Sequence, residues 1–306
     1  MSQSDTQVAV VIVNRDDAPT LERAICSALD QEGPGVEVWV MDGGSSDGSV
    51  DLIREYRNEL AGWSCAWDAG PGDAATRAID RTDADLVTVL SSRDVLAPGA
   101  LEDAAWLLDR EDGAGYAFGP RCWIDEHDEV VERGADPARP TVSGLFETLG
   151  GDVPSAGVFY RRELFDCCGG FDPRLQHAYR FAWHAALSLG NVRAALSPSP
   201  WGLERAGSSQ RTVRETIERG EEHLDVLEAL SPSLPKSYAA GALRSVREQR
   251  AVYAAAREES QASARLAGVW RHLLRRPHWL NEESYRERLL QSVAAQNLSQ
   301  HLRNAA

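Results

Sequence analysis

Lysine is all but absent from this chain: among 32 basic residues in 306, Lys236 is the only one that is not arginine, and 47 acidic residues bring the net charge to -15. The scarcity of lysine reflects coding bias or a salt-adapted surface and carries no mechanism by itself. The acidic balance argues against a general nucleic-acid binder, because phosphate affinity there comes from clustered Lys and Arg. No nucleic-acid partner is expected, and any anion has to be held locally. Long apolar runs are missing too. No stretch approaches the roughly 20 residues needed to cross a bilayer, and the apolar run in "MSQSDTQVAVVIVN" is too short for a signal peptide, so a cytoplasmic location is expected. The five cysteines, Cys26, Cys65, Cys122, Cys167 and Cys168, include no CxxC pair and are odd in number, which excludes a zinc ribbon or a disulfide framework. The adjacent Cys167 and Cys168 are expected to behave as small buried hydrophobes. A GxGxxG after the first apolar run is lacking as well, which disfavours a dinucleotide oxidoreductase.

What is present is an α/β pattern. "VAVVIVN" (8–14), "VEVWVMD" (36–42) and "DLVTVLS" (85–91) are short, Val-rich runs of the kind buried on both faces of a parallel sheet. Between them, Asp16 or Asp17 with Pro19 can open a helix carrying Leu21, Ala24, Ile25, Ala28 and Leu29. Ser46 or Asp47 can open another carrying Val50, Ile53, Tyr56 and Leu60. This order predicts an open, doubly wound, mostly parallel sheet of Rossmann-like type. Mixed strand and loop texture follows to about residue 210. A helical extension comes next, with Val213, Ile217, Leu224, Leu227 and Leu230 on one stripe and "SPSLPK" as a break. The expected division is a domain over 1–211 and a helical extension over 212–306.

Ligands of such sheets sit beyond the carboxyl ends of the strands, which selects Asn14, the stretch from Asp42 to Asp47, and Ser91 to Asp94. In "DGGSSDGS" (42–49) the glycines allow close backbone approach, while Asp42 can accept from a base or ribose donor. A calcium loop is excluded because Ile53 stands where a bidentate Glu is required. A turn with a helix cap is the plainer reading of the same residues.

Taken in order, a first strand ending in Asn14, "VWVMDGGSSDGS", "WDAGPGDAATRAI" (67–79), "LVTVLSSRDVLAPGAL" and "GVFYRRELFDCCGGFDPRL" (157–175) resemble a family 2 glycosyltransferase with the GT-A fold, over about residues 7–210. The resemblance implies transfer of a sugar from a UDP, GDP or dTDP donor to a saccharide or lipid-linked acceptor, usually with inversion. It also implies Mg²⁺ or Mn²⁺ on the diphosphate. On that pattern Asp42 contacts the nucleobase, Asp68 and Asp73 line the donor pocket, and Asp94 is the metal-binding carboxylate. A leaving nucleoside diphosphate needs its developing charge neutralised by a cation or by fixed donors.

Three departures stand out. Relatives often read Asn-Ser-Asp-Asp where this chain has Ser91-Ser92-Arg93-Asp94. Arg93 either meets phosphate oxygens in fork geometry or pairs with Asp94 on an inert loop. The acid that family members place after the GGFD turn, as the base for the acceptor hydroxyl, is also missing: the matching positions are Arg180 and Ala182, and no acid occurs between Asp172 and Glu204. Histidine is the natural substitute near neutral pH, and His177 and His184, two helical turns apart, would share a face with Arg180. A satisfied structural histidine is the rival reading. Asp172 suits the turn before Pro173. Finally, Arg205 stands where relatives carry a histidine ahead of Gly-Ser, and either binds phosphate or pairs with Glu204 or another acid. Three shifts of one sign imply a donor site run on guanidinium groups or a former enzyme retained as a nucleotide-sugar binder or scaffold for a partner enzyme. The segment 262–280 adds Arg265, Arg271, Arg275 and Arg276 with Trp270 and Trp279 and no acid. It fits packing on the catalytic domain, a peripheral contact with the inner membrane face, or a partner protein.

Overall fold

The computed structural model describes residues 6–33, 35–141, 153–205, 213–233, 247, 250 and 251. The chain divides into two units: Met1–Leu145 with Gly150–Ala206, and Phe146–Leu149 with Gly207–Ala306. The first is built on a seven-stranded sheet in the order β10-β6-β9-β4-β1-β2-β3. Its strands are β1 (Gln7–Asn14), β2 (Gly35–Asp42), β3 (Gly62–Cys65), β4 (Leu86–Ser91), β6 (Ala114–Phe118), β9 (Val158–Arg161) and β10 (Arg193–Leu196). Pairing is parallel among β4, β1, β2 and β3 and between β6 and β10, while β9 runs antiparallel to both β4 and β6. Asn14 lies opposite Asp42, and Val13 opposite Ser91, so the first, second and fourth strands end level.

Helices cover both faces. Val8, Val10 and Ile12 pack with Leu21 and Ile25 of α1 (Ala18–Leu29) and Leu101 of α4 (Ala100–Arg110). Ala9, Val11 and Val13 pack on the other side with Ala75 and Ala78 of α3 (Pro71–Ile79) and with Trp183. Each such side chain contributes roughly 1.5–3 kcal/mol when fully buried, which is why the central strands are apolar at every position rather than at alternate ones. The third strand, which the sequence pattern does not announce, is a four-residue edge strand with no fully buried residue. An edge strand needs no continuous apolar run.

The first two helices start differently from expectation. Asp17 occupies the position before α1 but makes no side-chain cap. The Ala18 amide donates instead to Asp47 of the β2–α2 loop at 2.8 Å, and Asp16 accepts from the Ser46 amide at 2.8 Å. The two strand-end loops thus cap one another. Burial works against the charge on Asp47, but hydrogen bonds from Ser49 and Ala18 outweigh it and hold the carboxyl below its usual range. The second helix, α2 (Ser49–Glu55), begins after Gly48 and ends before Tyr56, so Leu60 packs from the following turn rather than from the helix.

A second sheet has the order β5-β11-β7-β8, from β5 (Val95–Leu96), β7 (Cys122–Ile124), β8 (Val130–Arg133) and β11 (Gly202–Arg205). It meets the large sheet where Gly157 and Gly202 lie backbone to backbone; a Cβ on either would collide with the other strand, and Gly157 adds φ +72°. This contact sets β11 against the β4 loop. Two further helices, α5 (Glu163–Cys168) and α6 (Tyr179–Leu189), complete the described part of the unit. Cys167 and Cys168 are exposed, contrary to expectation, because Phe165 is the residue that α5 turns inward.

In the second unit, α7 (Val213–Leu230) buries Leu224 and Leu227 and runs into a 3-10 turn at Ser231–Ser233. Among the described residues no helix is long and apolar enough to cross a membrane. The basic stretch 262–280 lies outside the described residues.

Candidate functional site at the strand ends

The level ends of β1 and β2 create a buried polar knot. Asn14, 5% exposed, donates from Nδ2 to Asp42 Oδ2 at 2.7 Å and to Ser45 Oγ at 3.2 Å. Asp42, 1% exposed, accepts from the Gly44 and Ser45 amides at 3.0 and 2.9 Å and also from the Ser45 hydroxyl. A carboxylate offers about four acceptor sites, and here Asn14 takes one and the turn itself takes the other three. Asp42 therefore organises the β2–α2 turn, and it can meet a nucleobase only by exchanging one of these donors. Asn14 Oδ1, by contrast, is buried without a hydrogen-bond partner among the described residues.

The β3–α3 loop closes over this turn. Asp68 is buried, with an oxygen so close to Gly43 that a Cβ there would press on it at 3.1 Å. Burial pushes the Asp68 carboxyl up, opposed by the Gly70 amide and by Arg77 and Arg15. Asp73 accepts from the Ala69 amide at 3.2 Å and faces Arg77 Nε at 3.8 Å. Two residues here escaped the sequence reading. Trp67 is 75% exposed beside Gly44, and Arg15 is exposed immediately beyond β1. Arg15 had a signal, since it stands directly after the first predicted strand; Trp67 had none of that kind, because the short edge strand before it was not predicted.

In the β4 loop, Arg93 pairs with Asp17 at 2.8 Å, and not with Asp94 as the inert-loop alternative had it. The Asp17 carboxylate that could have capped α1 is spent on this pair and on Ser92 Oγ at 3.4 Å. Asp94 is 8% exposed and accepts the Arg205 amide at 3.0 Å. The Arg205 side chain is 1% exposed and ion-paired with Asp128. Its Nη1 donates to the Asp125 carbonyl and its Nε to the Arg93 carbonyl at 3.0 Å. Of its two readings the ion pair is the one seen, with Asp128 rather than Glu204 as partner, so the fork is already engaged within the protein. Glu204 instead holds Arg121 at 3.1 Å and the Ser155 amide at 2.6 Å. No cluster of three Asp, Glu, His or Cys able to hold a metal occurs among the described residues. A single carboxylate at Asp94 suits Mg²⁺ or Mn²⁺ only where substrate phosphates complete the shell.

The expected histidine face does not form, because α6 starts at Tyr179 and leaves His177 outside it. His177 is exposed; His184 is 4% exposed. The His184 ring stacks on Tyr116 and Tyr160, with Nε2 2.6 Å from the Tyr160 hydroxyl. Burial, and next the charge of Arg180, depress its pKa to about 3. It is a neutral core residue and is not placed to meet an acceptor. Asp172 does hold its turn, accepting the Arg174 amide at 2.9 Å.

A strand-end site with buried carboxylates in a mixed sheet of this order has a counterpart among known proteins. The Glycosyl transferase family 2 profile matches residues 8–169, just over half of the chain. The chain belongs to this family. Its fold is GT-A: it superimposes on Staphylococcus aureus TarS in complex with UDP-GlcNAc with a TM-score of 0.60 at 17% identity, covering 90% of this chain and 79% of that one. It likewise matches a Pyrobaculum calidifontis mannosyltransferase in complex with GDP-Man and Mn²⁺, with a TM-score of 0.60 at 18% identity over 95% of this chain and 86% of that one. By sequence, this glycosyltransferase chain is 25% identical over 178 residues to an uncharacterized glycosyltransferase of Nostoc sp., covering 55% of this chain and 54% of the relative. It thus spans about half the length of that relative. It is 27% identical over 265 residues to the succinoglycan biosynthesis protein ExoO of Rhizobium meliloti, covering 79% of this chain and 72% of the relative.

Within this GT-A domain the acid-position substitute, Arg180, lies half-buried on the first turn of α6. Its Nε donates to the Tyr179 hydroxyl at 2.9 Å, and its Nη1 to the carbonyls of Val89 (3.0 Å) and Ser155. Burial opposes the charge, and Tyr179, Tyr160 and the Asp94 carboxylate outweigh that opposition.

Proposed function

We propose that this family 2 chain transfers a sugar from a nucleotide-sugar donor to a hydroxyl of a saccharide or lipid-linked acceptor, by direct displacement with inversion. The observation that carries this reading is the convergence of Asn14, Asp42, Asp68, Asp73 and Asp94 at the strand ends of a GT-A domain. The relatives add support: neighbours of the same fold are described with UDP-GlcNAc and with GDP-Man, and a relative carries a polysaccharide biosynthesis name. The transferase domain is assigned to 1–211 and the helical extension to 212–306, in a cytoplasmic protein whose basic stretch 262–280 offers contact with the inner membrane face or with a partner protein.

Asn14 and Asp42 would frame the nucleobase, with the exposed Trp67 ring as a stacking surface, and Asp68 and Asp73 would line the sugar side. Asp94, together with the donor phosphates, would hold Mg²⁺ or Mn²⁺, which supplies charge neutralisation for the departing diphosphate. Arg93 and Arg205 shape the loop around Asp94 through Asp17 and Asp128. His177, exposed ahead of α6, would receive the acceptor proton.

The test is nucleoside diphosphate release from UDP-, GDP- and dTDP-sugars with saccharide and lipid-linked acceptors, with Mg²⁺ or Mn²⁺ present. Acceptor-dependent release supports the reading. Arg180 favours a second reading, a binder or scaffold that works with a partner enzyme, because a guanidinium at the acid position cannot accept a proton. Donor binding without release under every acceptor and metal condition selects it.

A further inference from the structure

Arg180 carries a charge that nearby carboxylates leave unbalanced. None lies within ion-pair distance among the described residues; Asp94 acts on it only at longer range. Two of the three guanidinium nitrogens are fixed by Tyr179, Val89 and Ser155, and the Tyr179 ring lies 5.4 Å from Cζ. The third, Nη2, makes no hydrogen bond among the described residues and does not belong to the buried atoms left without partners, so it keeps an open side. Holding a cation away from water without an anion is costly, and a fixed, partly desolvated guanidinium is the group that binds phosphate oxygens best. Its anchor, Val89, lies two residues before the end of β4, and Asp94 follows in the next loop.

We infer that Arg180 is a docking point for the donor diphosphate and supplies the positive charge for binding it, so that nucleotide binds without a divalent cation and a metal at Asp94 serves departure of the diphosphate rather than affinity. This rests on the nucleotide-sugar reading above. The tether explains why the site tolerates one acidic residue in the β4 loop. Rigid attachment to Val89 and Ser155 aims the guanidinium without further ordering, and Glu204 fixes Ser155 in turn through its amide at 2.6 Å.

The experiment is calorimetric titration of the full chain with UDP and GDP, first in EDTA and then with Mn²⁺. Binding in EDTA, changed little by Mn²⁺, is expected. Loss of one charge-assisted contact in Arg180→Gln should weaken metal-free binding about tenfold or more, and Arg180→Lys, which keeps charge without the fork, should fall between. Because Arg180 also ties β4 to α6, melting curves accompany both variants. Asp94→Asn provides an independent arm of opposite sign. Removing a neighbouring negative charge should tighten metal-free binding by up to about fivefold if arginine holds the diphosphate, and abolish binding if a metal on Asp94 does. Binding lost in EDTA and restored by Mn²⁺, or weakened by Asp94→Asn, overturns the inference and leaves the transferase reading standing. Absence of nucleotide binding in both conditions overturns that reading and the inference together.

Discussion

Trp67 is 75% exposed on the loop that closes over the Asp42 turn. Base stacking on an aromatic ring contributes about 1–3 kcal/mol, so Trp67→Ala should raise the Kd for UDP or GDP by about 5- to 100-fold, read by calorimetry, with the melting temperature unchanged. The two histidines should separate cleanly. His184 is neutral in the folded chain, with a pKa near 3, and titrates near its ordinary value of about 6.5 once unfolded. As pH falls the unfolded state takes the proton first. The stability tied to the neutral ring is therefore complete above about pH 6.5 and is lost at up to about 1.4 kcal/mol per pH unit as pH falls toward 3. His184→Gln should flatten the dependence of the urea midpoint between about pH 6 and 4 relative to the parent chain. His177→Ala should lower turnover by about 10²-fold or more, the range of a lost general base. Asn14 and Asp42 could be named from the chain because each terminates an apolar run, and Asp94 because it stands in the loop that follows one. The pairings around them could not, since Asp17, Asp47 and Asp128, which answer Arg93, the Ala18 amide and Arg205, are remote in sequence or belong to other turns.

Arg205 belongs to the scale of elements. It joins β11, the β4 loop and the β7–β8 turn through the Arg93 and Asp125 carbonyls and Asp128, with its side chain 1% exposed. Asp128 would keep its pair with Arg23 at 3.3 Å and a third of its surface in water, so Arg205→Ala should cost about 1–3 kcal/mol in urea unfolding, chiefly from the carbonyls of Arg93 and Asp125 left without their donor. Donor affinity should fall with it, because the Asp94 loop loses its brace. The limits of helices were the least legible feature. The stripe from Val50 to Leu60 continues past α2, and the histidine pair at helical spacing straddles the start of α6. Periodicity reports which residues face the core, and a turn can present an apolar side chain as well as a helix can.

Across the whole molecule, a net charge of -15 coexists with Arg15, Arg77 and Arg180 around one set of strand ends. Local cations in a chain this acidic should bind a small anion, while the net charge opposes a polyanion. No shift of a short DNA duplex is expected in gel mobility at micromolar protein and about 0.1 M salt. The family and the GT-A fold were written in the chain itself. Continuous burial demands continuous apolar runs, and strand-end turns demand Gly, Asp and Ser, so both leave marks that need no coordinates. Tertiary structure alone decided what each charge does: that Arg93 answers Asp17, that Arg205 is a brace, that His184 is core, and that Arg180 has no carboxylate at ion-pair distance among the described residues. Ion pairs form between groups brought together by sheet order and by the Gly157–Gly202 contact, and residue spacing along the chain carries no record of those distances.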